Sequence, residues 1–84
     1  MEQFETGMMA RSKSGHDAGK VYVITKVEEA YVYLVDGKVR TLDKPKKKKK
    51  NHVQLIKETF DIQGATDVDI KRWIKIWNKE DNQN

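Results

Sequence analysis

The residues best suited to chemistry lie in one short polar stretch, residues 12–20, which reads Ser-Lys-Ser-Gly-His-Asp-Ala-Gly-Lys. Gly15 and Gly19 favour a tight loop there, because glycine adopts positive φ at little cost and lets a backbone approach closely. The polar side chains between and beside them offer hydrogen bonds and charge: Lys13, Ser14, His16, Asp17 and Lys20. The stretch therefore predicts a recognition loop that displays exposed polar groups.

Catalytic, metal and cofactor chemistry find little support in this set of residues. A phosphate-binding P-loop needs four residues between its glycines and a Ser or Thr after its lysine, whereas three residues separate Gly15 from Gly19 and Val21 follows Lys20. The chain has no cysteine, and no spacing brings a histidine to a carboxylate pair or a nucleophile. We expect no enzyme activity, no metal and no cofactor, and we expect His52 to lie in the barrel or at its rim.

A run of lysines contains all the excess positive charge. Lys44 and residues 46–50 hold six of the 17 Lys and Arg residues, which leaves 11 against 13 acidic residues elsewhere. Such a cluster is typical of a protein that binds a polyanion, because lysines near phosphates release condensed counterions. Like charges repel, so we expect residues 46–50 to form an extended, mobile loop that orders on binding. A solvated surface, a nuclear import signal and contact with anionic lipid are secondary interpretations.

Length and composition favour one small domain. The 84 residues are 37% hydrophobic, which allows a single modest core. The absence of cysteine suits a reducing compartment. The apolar runs are far shorter than the roughly 20 residues that span a bilayer, and no segment resembles a signal peptide. We therefore expect a cytoplasmic protein with neither a membrane nor a small molecule as its partner.

The elements that must position the loop are mostly strands. Residues 8–11 form a short predicted strand before the loop, and residues 21–27, rich in β-branched and aromatic side chains, form a second one after it. Residues 31–35 form a third, and residues 52–56 form a closing strand that pairs with the first to complete a small barrel. The sequence thus predicts a mainly β fold.

The dipeptide Asp36-Gly37 comes directly after the third predicted strand and is a strong signal for a two-residue hairpin. Such a turn would place Tyr33 opposite Arg40 on one face and Leu34 opposite Val39 on the other. Exposed aromatic and guanidinium groups bind bases in some proteins and only cover a sheet in others, and the pattern leaves both interpretations open.

The last quarter of the chain changes to a helical period. Thr66 and Asp69 resemble a capping box, and apolar residues recur at helical spacing, which predicts a helix over residues 67–78 with its apolar stripe on the barrel. That stripe contains Val68 or Ile70, then Trp73, Ile74 and Trp77. The tryptophans favour the core over a base-stacking platform. Residues 1–6 and 80–84 are predicted to be loose termini.

The order of these motifs resembles a known family. The pattern Gly7-x-x-Ala-x-Ser-x-x-Gly-x-Asp-x-Gly-Lys-x-Tyr-Val-Ile, followed by Leu34-Val-Asp-Gly-Lys-x-Arg and a Lys-Pro-Lys stretch, resembles the KOW motif. It is similar to bacterial KOW-domain RNA-binding proteins, which are related to the large-subunit ribosomal proteins fourteen-e and twenty-seven-e of archaea and eukaryotes. The likeness covers residues 7 to about 52 and, more weakly, residues 67–75. It implies a Src-homology-3-like β-barrel and binding to RNA in a ribosomal setting.

The combined prediction is one domain, residues 7–79, formed by a KOW-type barrel and a C-terminal α-helix, which binds RNA without catalysis. We expect ribosomal RNA as the partner, with ribosomal proteins nearby and recognition by shape and charge. The alternatives are a protein-interaction module whose basic loop binds an acidic partner, and a DNA-binding protein. The predicted RNA-binding residues are Arg11, Lys13, Ser14, Gly15, His16, Asp17, Gly19, Lys20, Tyr33, Lys38, Arg40, Lys44, Lys46, Lys47, Lys48, Lys49 and Lys50.

Overall fold

A computed structural model describes residues 3–81 and contains one antiparallel sheet and one helix. The five strands lie in the order β4-β3-β2-β1-β5, and a 3₁₀ turn, Lys50–His52, connects β4 to β5. The mainly β fold with a C-terminal helix is confirmed. The elements are β1 Met8–Ser12, β2 Val21–Val27, β3 Tyr31–Val35, β4 Lys46–Lys49, β5 Val53–Thr59 and α1 Asp67–Asp81.

The sheet is not closed into a barrel, in contrast to the expectation from the sequence. The predicted pairing of the closing strand with the first is confirmed, because β5 pairs antiparallel with β1. The opposite edge is β4, which pairs with β3. The three residues between β4 and β5 redirect the chain from one edge of the sheet to the other, so β4 and β5 do not form a hairpin.

Both faces of the sheet bury apolar side chains. The first cluster draws on four strands and comprises Ala10, Tyr22, Ile24, Val32, Leu34, Val53 and Leu55. The second cluster lies on the other face, under α1, and comprises Met9, Val21, Val23, Val35 and Ile70. Strand residues that alternate in sequence thus fall into different clusters, as the two-residue period of a strand requires.

The helix begins as the sequence predicts. The Thr66 N–H donates to Asp69 Oδ2 at 3.0 Å, and the Asp69 N–H donates to Thr66 Oγ1 at 3.2 Å, which completes the capping box. Hydrogen bonding from the Thr66 backbone is the main cause that lowers the pKa of Asp69. Ile70 is buried, while Val68 is 61% exposed and takes no part in the stripe.

The tryptophans of α1 pack against the second cluster, so their predicted place in the core is confirmed. The Trp73 ring stacks on Phe60 with 4.7 Å between the ring centroids. The helix extends to Asp81, beyond its predicted end, and Phe4 packs against the first cluster, so residues 4 and 80–81 belong to the fold. The loose termini predicted for residues 1–2 and 82–84 lie outside the described residues.

Four lysines of the run, Lys46–Lys49, form β4, so the prediction of a mobile loop over residues 46–50 was wrong. Lys46 lies opposite Leu34 and Lys47 opposite Tyr33. β4 therefore pairs with β3 at the positions where the sequence predicted residues 38–41 to pair. Residues 38–41 form no strand, and the side chain of Val39 is 78% exposed.

The cause of that error is the side chain of Asp36. Its Oδ1 accepts hydrogen bonds from the N–H groups of Lys38 and Arg40, both at 2.9 Å. The N–H groups of Asp36 and Gly37 in turn donate to the Arg40 carbonyl. An aspartate that bonds to the following backbone favours a compact turn over a strand ladder. Arg40 therefore does not lie opposite Tyr33.

Gly37 connects this turn to α1, and its replacement tests that contact. Gly37 has φ +79°, and an added Cβ would collide with the Asp67 carbonyl and lie 2.9 Å from the Lys71 nitrogen. Gly64 has nearly the same φ, +78°, with no atom within 4 Å of such a Cβ. We expect Gly64→Ala to lower the free energy of unfolding by roughly 1–2 kcal/mol through positive φ alone. Gly37→Ala should lower the free energy of unfolding by about 1–3 kcal/mol more than Gly64→Ala does, because its added methyl group is also overpacked.

Urea denaturation followed by circular dichroism measures both variants. Equal losses for the two alanine variants would show that the contact between the turn and α1 contributes nothing to stability.

Candidate nucleic-acid interface

One buried carboxylate organises the polar end of the sheet. Asp17 is 6% exposed, and its oxygens accept hydrogen bonds from Ser12 Oγ at 2.8 Å and Tyr22 Oη at 3.1 Å. The ammonium groups of Lys46 and Lys48 lie 2.8 and 3.1 Å from the same carboxylate. We call these five residues the Asp17 cluster. It joins β1, β2 and β4 to the glycine loop, residues 12–20.

Strand alternation explains how four consecutive lysines fit into β4. Lys46 and Lys48 point to the face where Asp17 lies, and Lys48 also donates to the Ser14 carbonyl at 2.9 Å. Lys47 and Lys49 lie on the opposite, exposed face. Lys46 and Lys48, the inward lysines, therefore form ion pairs with a carboxylate. Electrostatic repulsion between adjacent lysines is reduced because successive side chains point to opposite faces of the sheet.

The hydrogen bonds also set the ionisation of the cluster. Burial by itself would raise the pKa of Asp17, but its donors, Lys46 first among them, outweigh burial and hold the pKa below the ordinary value of 3.8. Burial, together with the bond to Asp17, raises the pKa of Tyr22 to about 12. At neutral pH Asp17 is therefore an ionised carboxylate and Tyr22 a neutral phenol.

The glycine loop is as tight as the sequence predicts. Gly15 and Gly19 have φ of +85° and +91°, and the Gly19 N–H donates to the Ser12 carbonyl at 2.8 Å. Arg11 holds the far side of the loop, because its Nη1 donates to the Gly19 carbonyl at 3.2 Å. The same guanidinium lies 5.3 Å from the centroid of the Trp77 ring, so it also links the loop to α1.

An open groove of about 650 Å³ lies where the glycine loop, the β3–β4 loop and α1 meet. We call it the basic groove, because four lysines and only one acidic residue line it. That acid is Asp36, whose carboxylate accepts hydrogen bonds from two backbone N–H groups. The Leu42 N–H donates to Asp67 Oδ1 at 2.8 Å, which fixes the β3–β4 loop to the start of α1. The lining residues are Gly19, Lys20, Val21, Asp36, Lys38, Val39, Lys71, Ile74, Lys75 and Asn78.

The groove lysines have no acidic partner within the part of the chain that the structure describes. None of the salt bridges there involves Lys20, Lys38, Lys71 or Lys75. Low-dielectric walls around charges of one sign focus the field, so the groove attracts anions more strongly than scattered surface lysines do.

A second surface lies on the exposed face of β3 and β4. Tyr31 and Tyr33 are half-buried there, and Lys47 Nζ lies 4.4 Å from the Tyr31 ring centroid and 5.9 Å from that of Tyr33. Lys26 Nζ lies 5.3 Å from the Tyr33 centroid. Glu28 contacts both lysines, at 3.6 Å for Lys26 and 4.0 Å for Lys47. We call Tyr31, Tyr33, Lys26 and Lys47 the tyrosine face.

The structure distributes the predicted RNA-binding residues over several places. The basic groove contains Gly19, Lys20 and Lys38, while the tyrosine face contains Tyr33 and Lys47. The expectation that Asp17 displays an exposed group was wrong, because four donors bury and satisfy it. Outside these surfaces, the exposed residues are Lys13, Gly15, His16, Lys44 and Lys49, and the partly buried ones are Arg11, Ser14, Arg40 and Lys50.

The contribution of α1 to the groove was not predicted from the sequence. Lys71 and Lys75 are one helical turn apart and Asn78 is three residues further, so they share one side of the helix. That spacing was a visible signal. It could not show that this side faces the glycine loop, because the direction of α1 across the sheet depends on tertiary packing.

Among the described residues, no group of three or more His, Cys, Asp or Glu side chains could hold a metal ion. No helix in the same part of the chain has the length and apolar character needed to cross a membrane. No protein-family model matches the sequence, and a search of curated proteins finds no significant match.

Asp17→Asn tests the buried cluster, with Glu28→Gln as a matched control that also removes an acid between two lysines. We expect Asp17→Asn to cost about 3–5 kcal/mol of unfolding free energy, because it leaves the ammonium group of Lys48 uncompensated in a buried site. Glu28 is half-buried, with 38% of its side chain exposed, and its two ion pairs are long and solvent-accessible, so Glu28→Gln should cost less than about 1 kcal/mol. Similar losses for both variants in urea denaturation would contradict a special role for Asp17.

The same variant makes a prediction about pH. The pKa of Asp17 is lowered on folding, so its stabilising effect is complete above pH 3.8 and is lost as pH falls below that value. The difference in unfolding free energy between the wild type and Asp17→Asn should therefore shrink from pH 5 towards pH 2. A difference that stays constant over this range would show that the carboxylate is not stabilised as an anion.

Proposed function

We propose that this chain is a non-catalytic, cytoplasmic RNA-binding protein that associates with ribosomal RNA. The observation that supports it best is the basic groove, where three elements bring four lysines onto one concave surface, and none of these lysines forms a salt bridge within residues 3–79. Phosphate contacts dominate the affinity of such proteins, and lysines on flexible stems supply those contacts without selecting a sequence. Recognition by shape and charge follows from this arrangement.

The groove has features that suit a phosphate backbone. Gly19 has no side chain, and no atom lies within 4 Å of the position that a Cβ would take, so the loop leaves room for a ligand. Val39 and Ile74 provide apolar contact between the lysines. The single acid, Asp36, is held by backbone N–H groups and does not pair with a groove lysine.

This proposal moves the main RNA contact away from the lysine run. Lys46 and Lys48 already neutralise Asp17, and the side chain of Lys48 is only 10% exposed. A phosphate would have to break that buried pairing to reach them, at a cost that a surface contact does not offset. Lys47 and Lys49 remain accessible on β4 and extend the positive surface.

We also propose that the open sheet is a Src-homology-3-like fold of the KOW type, in which the barrel stays partly open. It is supported by the first apolar cluster, which contains residues of both β3 and β5, Val32 and Leu55 among them, although these strands lie apart in the sheet. A register shift between Ile24 and Lys26 bends β2, as a β-bulge does where a sheet curls. A partly open barrel has these two properties.

A protein-interaction module that binds an acidic partner is the second candidate. The observation in its favour is Val39, whose side chain is 78% exposed beside the groove lysines and could contact an apolar residue of a peptide. Pull-down of the full chain separates the two functions. Partners that survive nuclease treatment would favour the module, whereas partners lost on treatment favour RNA.

Two charge-matched variants test the groove. Lys38→Gln with Lys75→Gln removes two groove lysines, and Lys57→Gln with Arg72→Gln removes two exposed positive charges outside the groove. We expect the groove variant to weaken binding to a ribosomal RNA fragment and to flatten the slope of log K against log salt by about 1.5, at roughly 0.7–0.9 per phosphate contact. The control variant should keep the wild-type slope.

Fluorescence anisotropy over a range of salt concentrations gives both slopes. Equal effects of the two variants would show that total charge, and not the groove, determines binding. Absence of wild-type binding to RNA, or stronger binding to DNA of the same sequence, would overturn the proposed function.

Association with the ribosome is tested separately by sedimentation of the tagged protein from its own cells through sucrose gradients. We expect the protein to migrate with large ribosomal subunits at low salt and to be released at high salt, because the contacts are electrostatic. The Lys38→Gln, Lys75→Gln variant should remain nearer the top at low salt. A wild-type protein that stays at the top in both gradients would contradict ribosome association.

A further inference from the structure

The tyrosine face is a charged aromatic surface that no strand or helix covers completely. Tyr31, Tyr33 and Val35 alternate along β3 and therefore share one side of the strand. Val35 lies in the cluster under α1, whereas the two tyrosines are only partly buried. Neighbouring strands add Lys26 and Lys47 beside the rings.

We propose that the tyrosine face stacks unpaired bases, so that the ligand of this protein is a single-stranded segment of RNA rather than a duplex. This inference rests on the proposed function and specifies its substrate. The observations that point to it are two rings on adjacent positions of one face and the two ammonium groups within 6 Å of their centroids. Duplex bases are stacked on each other and cannot reach such a surface.

The lysines beside the rings do not prevent stacking. An exposed ammonium group over a tyrosine contributes less than a base stacked on the same ring, so a base displaces it. The displaced lysine side chains are long and flexible and can contact the phosphates that flank the stacked bases. Glu28 contacts both lysines at 3.6 and 4.0 Å, and such exposed ion pairs are weak.

The tyrosine face and the basic groove are joined by β3. Asp36 lines the groove and follows β3 directly, and at about 3.3 Å per residue it is roughly 10 Å from Tyr33 along the strand. Val35 lies between them and is buried under α1, so the two surfaces are separate along this strand. The stacking site is therefore tested independently of the groove.

Two probes test this inference with the full-length chain: oligouridine and an RNA duplex of equal length. Both are compared at one salt concentration, and oligouridine binding is then measured over a range of salt concentrations to obtain its slope. We expect the wild type to bind the single strand more tightly than the duplex. Tyr31→Leu with Tyr33→Leu retains apolar side chains but loses stacking, and should weaken single-strand binding about tenfold or more. Tyr31→Phe with Tyr33→Phe retains the rings and should bind within about twofold of the wild type.

The salt slope distinguishes this inference from the proposed function. The leucine variant changes no charge, so its slope should equal that of the wild type, whereas the groove variant lowers the slope. Tighter binding to the duplex, or an unchanged affinity of a folded leucine variant, would overturn the stacking site and leave the groove proposal intact. If the leucine variant does not fold, Tyr33→Trp is measured instead, and we expect it to bind the single strand more tightly than the wild type. An affinity of Tyr33→Trp no higher than that of the wild type would also overturn the stacking site.

Discussion

The buried carboxylate of Asp17 is the constraint on which the polar half of this fold depends. Four consecutive lysines repel one another in water, and a strand made of them requires a counter-charge on at least one face. Asp17 supplies it to Lys46 and Lys48, and the Ser12 and Tyr22 hydroxyls satisfy its remaining lone pairs. Removal of this anion affects the position of β4 and the shape of the glycine loop together, because both are attached to it.

The parts of the fold that could be predicted are those whose causes are local in sequence. Alternating β-branched residues predict β2 and β3, and the capping box of Thr66 and Asp69 predicts the start of α1. β4 could not be predicted in this way. Its neutralising partner, Asp17, is 31 residues away from Lys48, and no local rule makes a run of lysines compatible with a strand. The turn at Asp36 was misjudged because its side chain, and not its dihedral preference, determines the chain path.

In the candidate site, too, the features with local causes could be predicted and those that depend on tertiary contacts could not. The glycine loop and Lys20 were predictable, because glycines at positive φ and polar neighbours are visible in the sequence. The groove itself depends on tertiary contacts. Gly37 allows the β3–β4 loop to contact the first turn of α1, and Arg11 bridges Gly19 and Trp77. Lys71 and Lys75 become part of a site only through those contacts, although their spacing already places them on one side of a helix.

The number of lysines is therefore a poor guide to where this protein presents positive charge. In β4, alternate lysines are directed to a buried acid, and the edge position gives the others a second physical role, since lysines on an edge strand discourage pairing with another chain. In the groove, by contrast, lysines from distant elements converge, and none of them pairs with an acid among the described residues. A ligand responds to the charge that remains accessible after internal pairing. By that criterion the concave surface between the glycine loop and α1 presents more accessible positive charge than the inward lysines of the longest lysine run do.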